Sequence, residues 1–249
     1  MESSTRSLTT RIIGGVMGGA LLTVGFAGLG LVGGWFESGE RLVHRVHDLG
    51  WGAIGGVIIS VGLLAQVRGT ERAVAGAQQA ALGLLALTGA YVAARDIPAL
   101  AAPGALVLLA IVIWLHPSRS EILSIGRPSI ALLGLTALAA VPLVLYAFDQ
   151  IGIARADKVS AHARELHWSA MAGMAFAIIL TALVASNRSR GARLSAWCTA
   201  VALAVYGAGS LLNPDAPSAA AVPWATAAVT WAIAFVATAE WQVRSEGAR

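Results

Sequence analysis

Read from end to end, the chain alternates long apolar runs with short polar joints. Eight runs stand out, at 12–36, 51–67, 73–94, 97–115, 128–148, 168–185, 194–212 and 219–239. Crossing a hydrocarbon core takes about 20 residues of helix, so each run is a candidate transmembrane helix. The runs are continuous rather than alternating with a period of two. That excludes a membrane β-barrel and leaves helices, which satisfy their own backbone hydrogen bonds in lipid. The expected fold is therefore an all-α integral membrane protein with eight transmembrane helices.

Composition agrees, with 57% hydrophobic and only 12% charged residues, against about a quarter charged in soluble domains. The first run follows two arginines, as in a secretory signal. Its length and the lack of a small-residue cleavage site make a retained first helix the expectation. The net charge of +4 resides in inter-run joints, where positive residues set orientation, and so does not indicate a nucleic-acid partner. With the N-terminus placed in the cytoplasm, Arg6, Arg11, Arg68, Arg72, Arg119, Arg127, Arg188, Arg190, Arg193, Arg244 and Arg249 fall inside. Arg41, Arg45, Arg95, Arg155, Lys158 and Arg164 fall outside. Eleven against six predicts both termini in the cytoplasm of a plasma-type membrane. Acids such as Glu37, Glu40, Asp48, Asp96, Asp149, Asp157, Glu165 and Asp215 gather on the outer side.

An offset of 117 residues lays the run from Trp51 over the run from Trp168. The tryptophans match, and so do the small-residue pairs Gly52/Gly56 and Ser169/Gly173, which let membrane helices approach closely. The flanking order of joints also agrees. These features predict two tandem four-helix repeats, 1–116 and 117–249, in the same orientation and related by a pseudo-twofold axis along the membrane normal. Gly14 and Gly18, together with the literal GxGxxG from Gly28, belong to the first run. With no strand before them they read as helix packing rather than a phosphate loop.

The chemistry-bearing candidates are two histidine phrases, HRVHDLGW from His44 and HARELHW from His162. Each opens a matched run, so duplication would bring both to one side of the membrane. His44 and His47 are three apart and share a helical face. His162 and His167 are five apart, about 140° round a helix, and cannot face one way unless the helix breaks between them. The most economical shared centre uses His47 and His167, supported by His44, His162, Asp48 and Glu165. It would take haem b, or a copper or zinc ion. The same histidines also fit simple interfacial side chains without function. The segment from Glu37 to Leu49 is expected to lie in the membrane interface, with Leu42, Val43, Val46 and Leu49 on its apolar stripe.

Other polar groups are sparse. No Asp, Glu, Lys or Arg falls inside a run, which disfavours an ion-coupled carrier. Gln78, Gln79 and Tyr91 are the candidates for a neutral-solute pathway, and Tyr146 and Tyr206 are further polar positions. His116 reads as an interfacial residue on the inner side and the single Cys198 as packing. No Walker loop, HExxH or GxSxG occurs, so no familiar enzyme class is indicated. Three classes of function fit: a membrane redox or metal-binding protein, a transporter or channel for a neutral or lipid-like solute, and a non-catalytic subunit of a membrane complex.

Overall fold

A computed structural model describes residues 2–23, 27–36, 38–69, 73–96 and 101–247. Among these residues every regular element is helical. Six helices among the described residues are long and apolar enough to cross a membrane: Arg41–Arg68, Val74–Ala94, Ile130–Ala156, His167–Ser186, Ala192–Leu212 and Val222–Ser245. They coincide with six of the predicted runs and make this an all-helical membrane protein.

The first predicted run corresponds to α1 (Glu2–Thr23) and α2 (Ala27–Phe36), and its residues 24–26 lie outside the described residues. The fourth corresponds to α6 (Ala101–Leu115), and its residues 97–100 likewise lie outside them. Among the described residues, neither region holds a helix that is by itself both long and apolar enough to cross a membrane.

The helix Arg41–Arg68 is a composite. A 3₁₀ turn (Gly39–His44) leads into α3 (Arg45–Trp51), a π-helical stretch (Gly52–Ser60), α4 (Val61–Leu64) and a closing 3₁₀ turn (Ala65–Arg68). Gly52, Gly55 and Gly56 are weak helix formers, so the widened stretch costs little regular helix. Ser60 donates its hydroxyl to the Gly55 carbonyl five residues back, at 2.6 Å.

This helix begins ten residues before the predicted run at 51–67, which corrects the interfacial reading of the first histidine phrase. Leu42 and Val43 remain half-exposed, whereas Val46, His47 and Leu49 have no exposure. The polar and apolar faces are alike covered, because α3 is sandwiched. A β-carbon on Gly30 of α2 would run into the Asp48 carbonyl, and Leu49 fills the space at Gly209.

The remaining elements are α5 (Val74–Ala94), α7 (Arg119–Ile122), α8 (Ile130–Ala156), α9 (Ala161–Arg164), α10 (His167–Ser186), α11 (Ala192–Leu212) and α12 (Val222–Gly247). The alanine-rich α10 is central, with α5, α8 and α11 packed against it and α12 against α11. Ala170, Ala172, Ala175 and Ala177 are buried, and a β-carbon on Gly173 would stand 3.0 Å from the Leu87 backbone. Without a hydrophobic effect between helices in lipid, such close approach is what holds them together. Exposed apolar residues include Leu138, Val141 and Leu145 on α8 and Ile233 on α12.

Gly14 and Gly18 pack against the stretch from Ser60 to Gln66, Gly52 packs against Leu31, and Gly56 is buried in the π-helical stretch. His116 differs from its interfacial expectation, being 1% exposed. Its Nδ1 accepts from the Ser118 N–H at 3.0 Å, and its Nε2 meets Gln66 Oε1 at 3.1 Å. It ties the joint after α6 to the end of the composite helix.

Close packing at Gly30 sets a measurable expectation. Gly30→Ala overpacks α2 against α3 and destabilises by about 1–3 kcal/mol, lowering the thermal midpoint in detergent. Gly89→Ala, facing open space, leaves the midpoint unchanged or slightly raised. Equal midpoints for Gly30→Ala and the parent protein would contradict the packing described.

Candidate metal centre

The two histidine phrases converge. One ligand atom from each of His44, His47, His162 and His167 lies within 4.8 Å of all the others. His47 and His167 are buried, whereas His44 and His162 are half-buried. His47 and His167 stack at 4.7 Å between ring centroids with 16° between planes. His44 lies 4.5 Å from His162 by the same measure. Trp168 closes one side, edge-on to His47 at 5.1 Å.

His44 closes the 3₁₀ turn Gly39–His44, and its ring lies nearer His162 (4.5 Å between centroids) and His167 (5.0 Å) than His47 (6.5 Å). In the second phrase the helix does break. α9 ends at Arg164, Leu166 adopts a left-handed conformation (φ 60°, ψ 26°), and α10 starts at His167. Such a conformation costs a leucine about 1–2 kcal/mol. It persists because the segment from Asp157 to Trp168 is tied down elsewhere.

Asp157 accepts from the backbone N–H groups of Val159 and Ser160, from the Ser160 hydroxyl, and from Trp168 Nε1 at 3.1 Å. Lys158 bonds the Ala94 carbonyl at 3.1 Å and Asp96 at 2.5 Å, while Ser169 donates to the other Asp96 oxygen at 2.9 Å. The loop is thereby stapled to the end of α5. The Ser160 hydrogen bonds are the chief cause that holds the Asp157 carboxyl well below the usual carboxylate range.

His167 Nδ1 stands 3.2 Å from His44 Nδ1 and 3.4 Å from His162 Nδ1. A neutral imidazole nitrogen is either donor or acceptor, so one Nδ1 cannot satisfy both neighbours in the same sense. A cation can. A metal with imidazole bonds of about 2.0–2.1 Å, bound tetrahedrally, separates its donors by about 3.4 Å, close to these two distances. His47 Nε2 meets Ser218 Oγ at 2.9 Å, while its Nδ1 is buried with no hydrogen-bond partner among the described residues.

His167 Nε2 lies 3.3 Å from Glu165 Oε2, the carboxylate–imidazole arrangement that orients metal-bound histidines. Burial foremost, then His44, lowers the His162 pKa, against Glu165 and Asp157, which raise it. The shift favours the neutral ring, which has a lone pair to offer.

Of the six residues predicted for this site, the four histidines form the cluster, and Glu165 backs it at His167. Asp48 is buried but pairs with Arg41 at 3.6 Å, outside the donor group. The predicted pathway residues lie elsewhere. Gln78 donates to the Ile122 carbonyl and accepts from Ser189, both at 2.8 Å. It borders a cavity of about 640 Å³ lined chiefly by apolar residues such as Leu82, Ile113 and Leu183. Gln79 donates to the Ile58 carbonyl at 2.7 Å, and Tyr91 is buried. Ser218 escapes sequence reasoning, since a lone serine in an alanine-rich joint carries no pattern.

Fold and site together define an all-helical membrane protein with a buried four-histidine cluster that could hold a metal ion. Comparison with protein-family models, curated proteins and solved structures finds no match.

The Asp157 tether makes a pH-dependent prediction. Its folded-state pKa is lowered, so its contribution is present above the ordinary aspartate value of about 4 and is lost as pH falls through the folded-state value. The difference in thermal midpoint between the parent protein and Asp157→Asn is therefore largest near neutral pH and shrinks in acid. A difference constant with pH would show that the charge does not hold the loop.

Proposed function

We propose that this is a polytopic membrane protein that holds a first-row transition-metal ion in a four-histidine centre on the extracytoplasmic side, in a redox or metal-binding role. The observation that carries the reading is the convergence of four imidazoles, two from each half of the chain, within 4.8 Å. An all-imidazole donor set suits copper or zinc.

A compact ion fits better than haem b. Two axial ligands on one iron place their nitrogens about 4 Å apart on opposite faces, twice a metal–imidazole bond, with a macrocycle between them. His47 and His167 instead stack at 4.7 Å, with the other two rings alongside.

The centre would lie between two tandem four-helix repeats, 1–116 and 117–249, related by a pseudo-twofold axis. In support, helix neighbours exchange under the swap: the composite helix packs on α5 and α11, and α10 packs on α11 and α5. The arginine distribution favours both termini in the cytoplasm.

Detergent-purified, chelator-stripped protein titrated with Cu²⁺, Zn²⁺ or Co²⁺ should bind one ion per chain, with visible d–d absorption in the cobalt form. His47→Ala and His167→Ala should each raise Kd at least tenfold, and His116→Gln should bind as the parent protein does. Absence of stoichiometric binding, or binding indifferent to both alanine variants, would end the proposal.

A further inference from the structure

Ser218 belongs to the joint between α11 and α12 and has a left-handed backbone (φ 63°). Two tyrosine hydroxyls donate to its carbonyl, Tyr146 from α8 at 2.9 Å and Tyr206 from α11 at 3.1 Å. A carbonyl oxygen has two lone pairs, so both bonds are satisfied together. They hold Ser218 in a conformation it would otherwise leave.

The Ser218 hydroxyl lies 2.5 Å from Gln150 Oε1 and 2.9 Å from His47 Nε2. Gln150 Nε2 faces Asp149 Oδ2 at 3.4 Å. The Asp149 oxygen accepts from Gln150 Nε2, so the amide nitrogen belongs on the Asp149 side and the amide oxygen on the Ser218 side. The amide oxygen only accepts, which commits the serine proton to Gln150. Ser218 Oγ then has only a lone pair for His47, and Nε2 must carry the imidazole proton. The His47 Nδ1 lone pair is left bare, on the one buried ring nitrogen of the cluster with no hydrogen-bond partner among the described residues.

We infer that Gln150 and Ser218 are positioning residues that lock His47 in the Nε2–H tautomer and so present Nδ1 as a ligand. This rests on the four-histidine reading above and deepens it. Neither residue touches the metal. The two act in series, because Gln150 decides the direction of the serine proton and that direction decides which histidine nitrogen is bare. Groups that orient ligating histidines in this way are worth about 10–100-fold in metal affinity.

Two variants separate this role from a structural one. Gln150→Leu keeps the volume but frees the serine proton to point at Nε2. Ser218→Gly removes the hydroxyl and relieves the left-handed backbone, so loss of folding does not confound it. The tautomer is read by ¹⁵N NMR of the metal-free full chain with labelled histidine, His47 being assigned by its loss in His47→Ala. Affinity is read by zinc titration.

The parent protein should show Nε2 protonated and Nδ1 bare. Both variants should shift His47 towards the Nδ1–H form and raise the zinc Kd about 10–100-fold. An unchanged tautomer in both variants, or a parent protein with Nδ1 protonated, would overturn the positioning role. A tautomer that moves as expected in a protein that binds no zinc would overturn the ligand assignment and the four-histidine reading, while leaving the Gln150–Ser218–His47 chain in place. A tautomer that moves while zinc affinity stays at the parent value would overturn Nδ1 as the ligating atom.

Discussion

The structure turns on one constraint: imidazoles packed among apolar helices must find a partner for every ring nitrogen, since a buried polar group left unmet costs about 1–3 kcal/mol. At His167 and His47 the outer nitrogens are met by Glu165 and Ser218. The inner nitrogens face one another or nothing. Two of the four described non-glycine residues with positive φ, Leu166 and Ser218, border this cluster, one turning His167 inward and the other meeting His47. Backbone strain of this kind persists only where surrounding bonds over-determine it.

The supports come from distant parts of the chain. Asp157, Lys158 and Asp96 fasten the α9 segment to the end of α5, while Arg45 reaches Asn213 at 3.2 Å and fastens α3 to the joint that carries Ser218. Gly30, Gly50 and Gly209 let α2, α10 and α11 close on α3, with Met171 occupying the space at Gly50. The site is thus held on helices and stapled joints rather than on a free loop, as a rigid ligand set requires.

Much of the scaffold was legible in the sequence. Uninterrupted apolar runs need no tertiary information to be recognised as spanning helices, and six lie where expected. The ends were less legible. The helix bearing His44 and His47 extends ten residues beyond its apolar run because packing by α2 and α11 buries a segment whose own pattern reads as amphipathic. The meeting of His162 with His167 depends on a left-handed Leu166, and leucine gives no warning of that conformation as glycine or asparagine would. Gln150 and Ser218 were invisible for a related reason: their meaning lies in which atom faces which, not in spacing. His116 looked interfacial beside a proline, and only the tertiary partner Gln66 explains its burial.

X-ray absorption at the metal edge of the zinc- or copper-loaded protein addresses the central claim most directly, because it reports donor type and distance without assuming a fold. Four nitrogen donors at about 2.0–2.1 Å, with the outer-ring scattering of imidazole, is the expected result. A shell containing sulfur, the signature of a porphyrin, or only one imidazole per metal would contradict a centre built from His44, His47, His162 and His167.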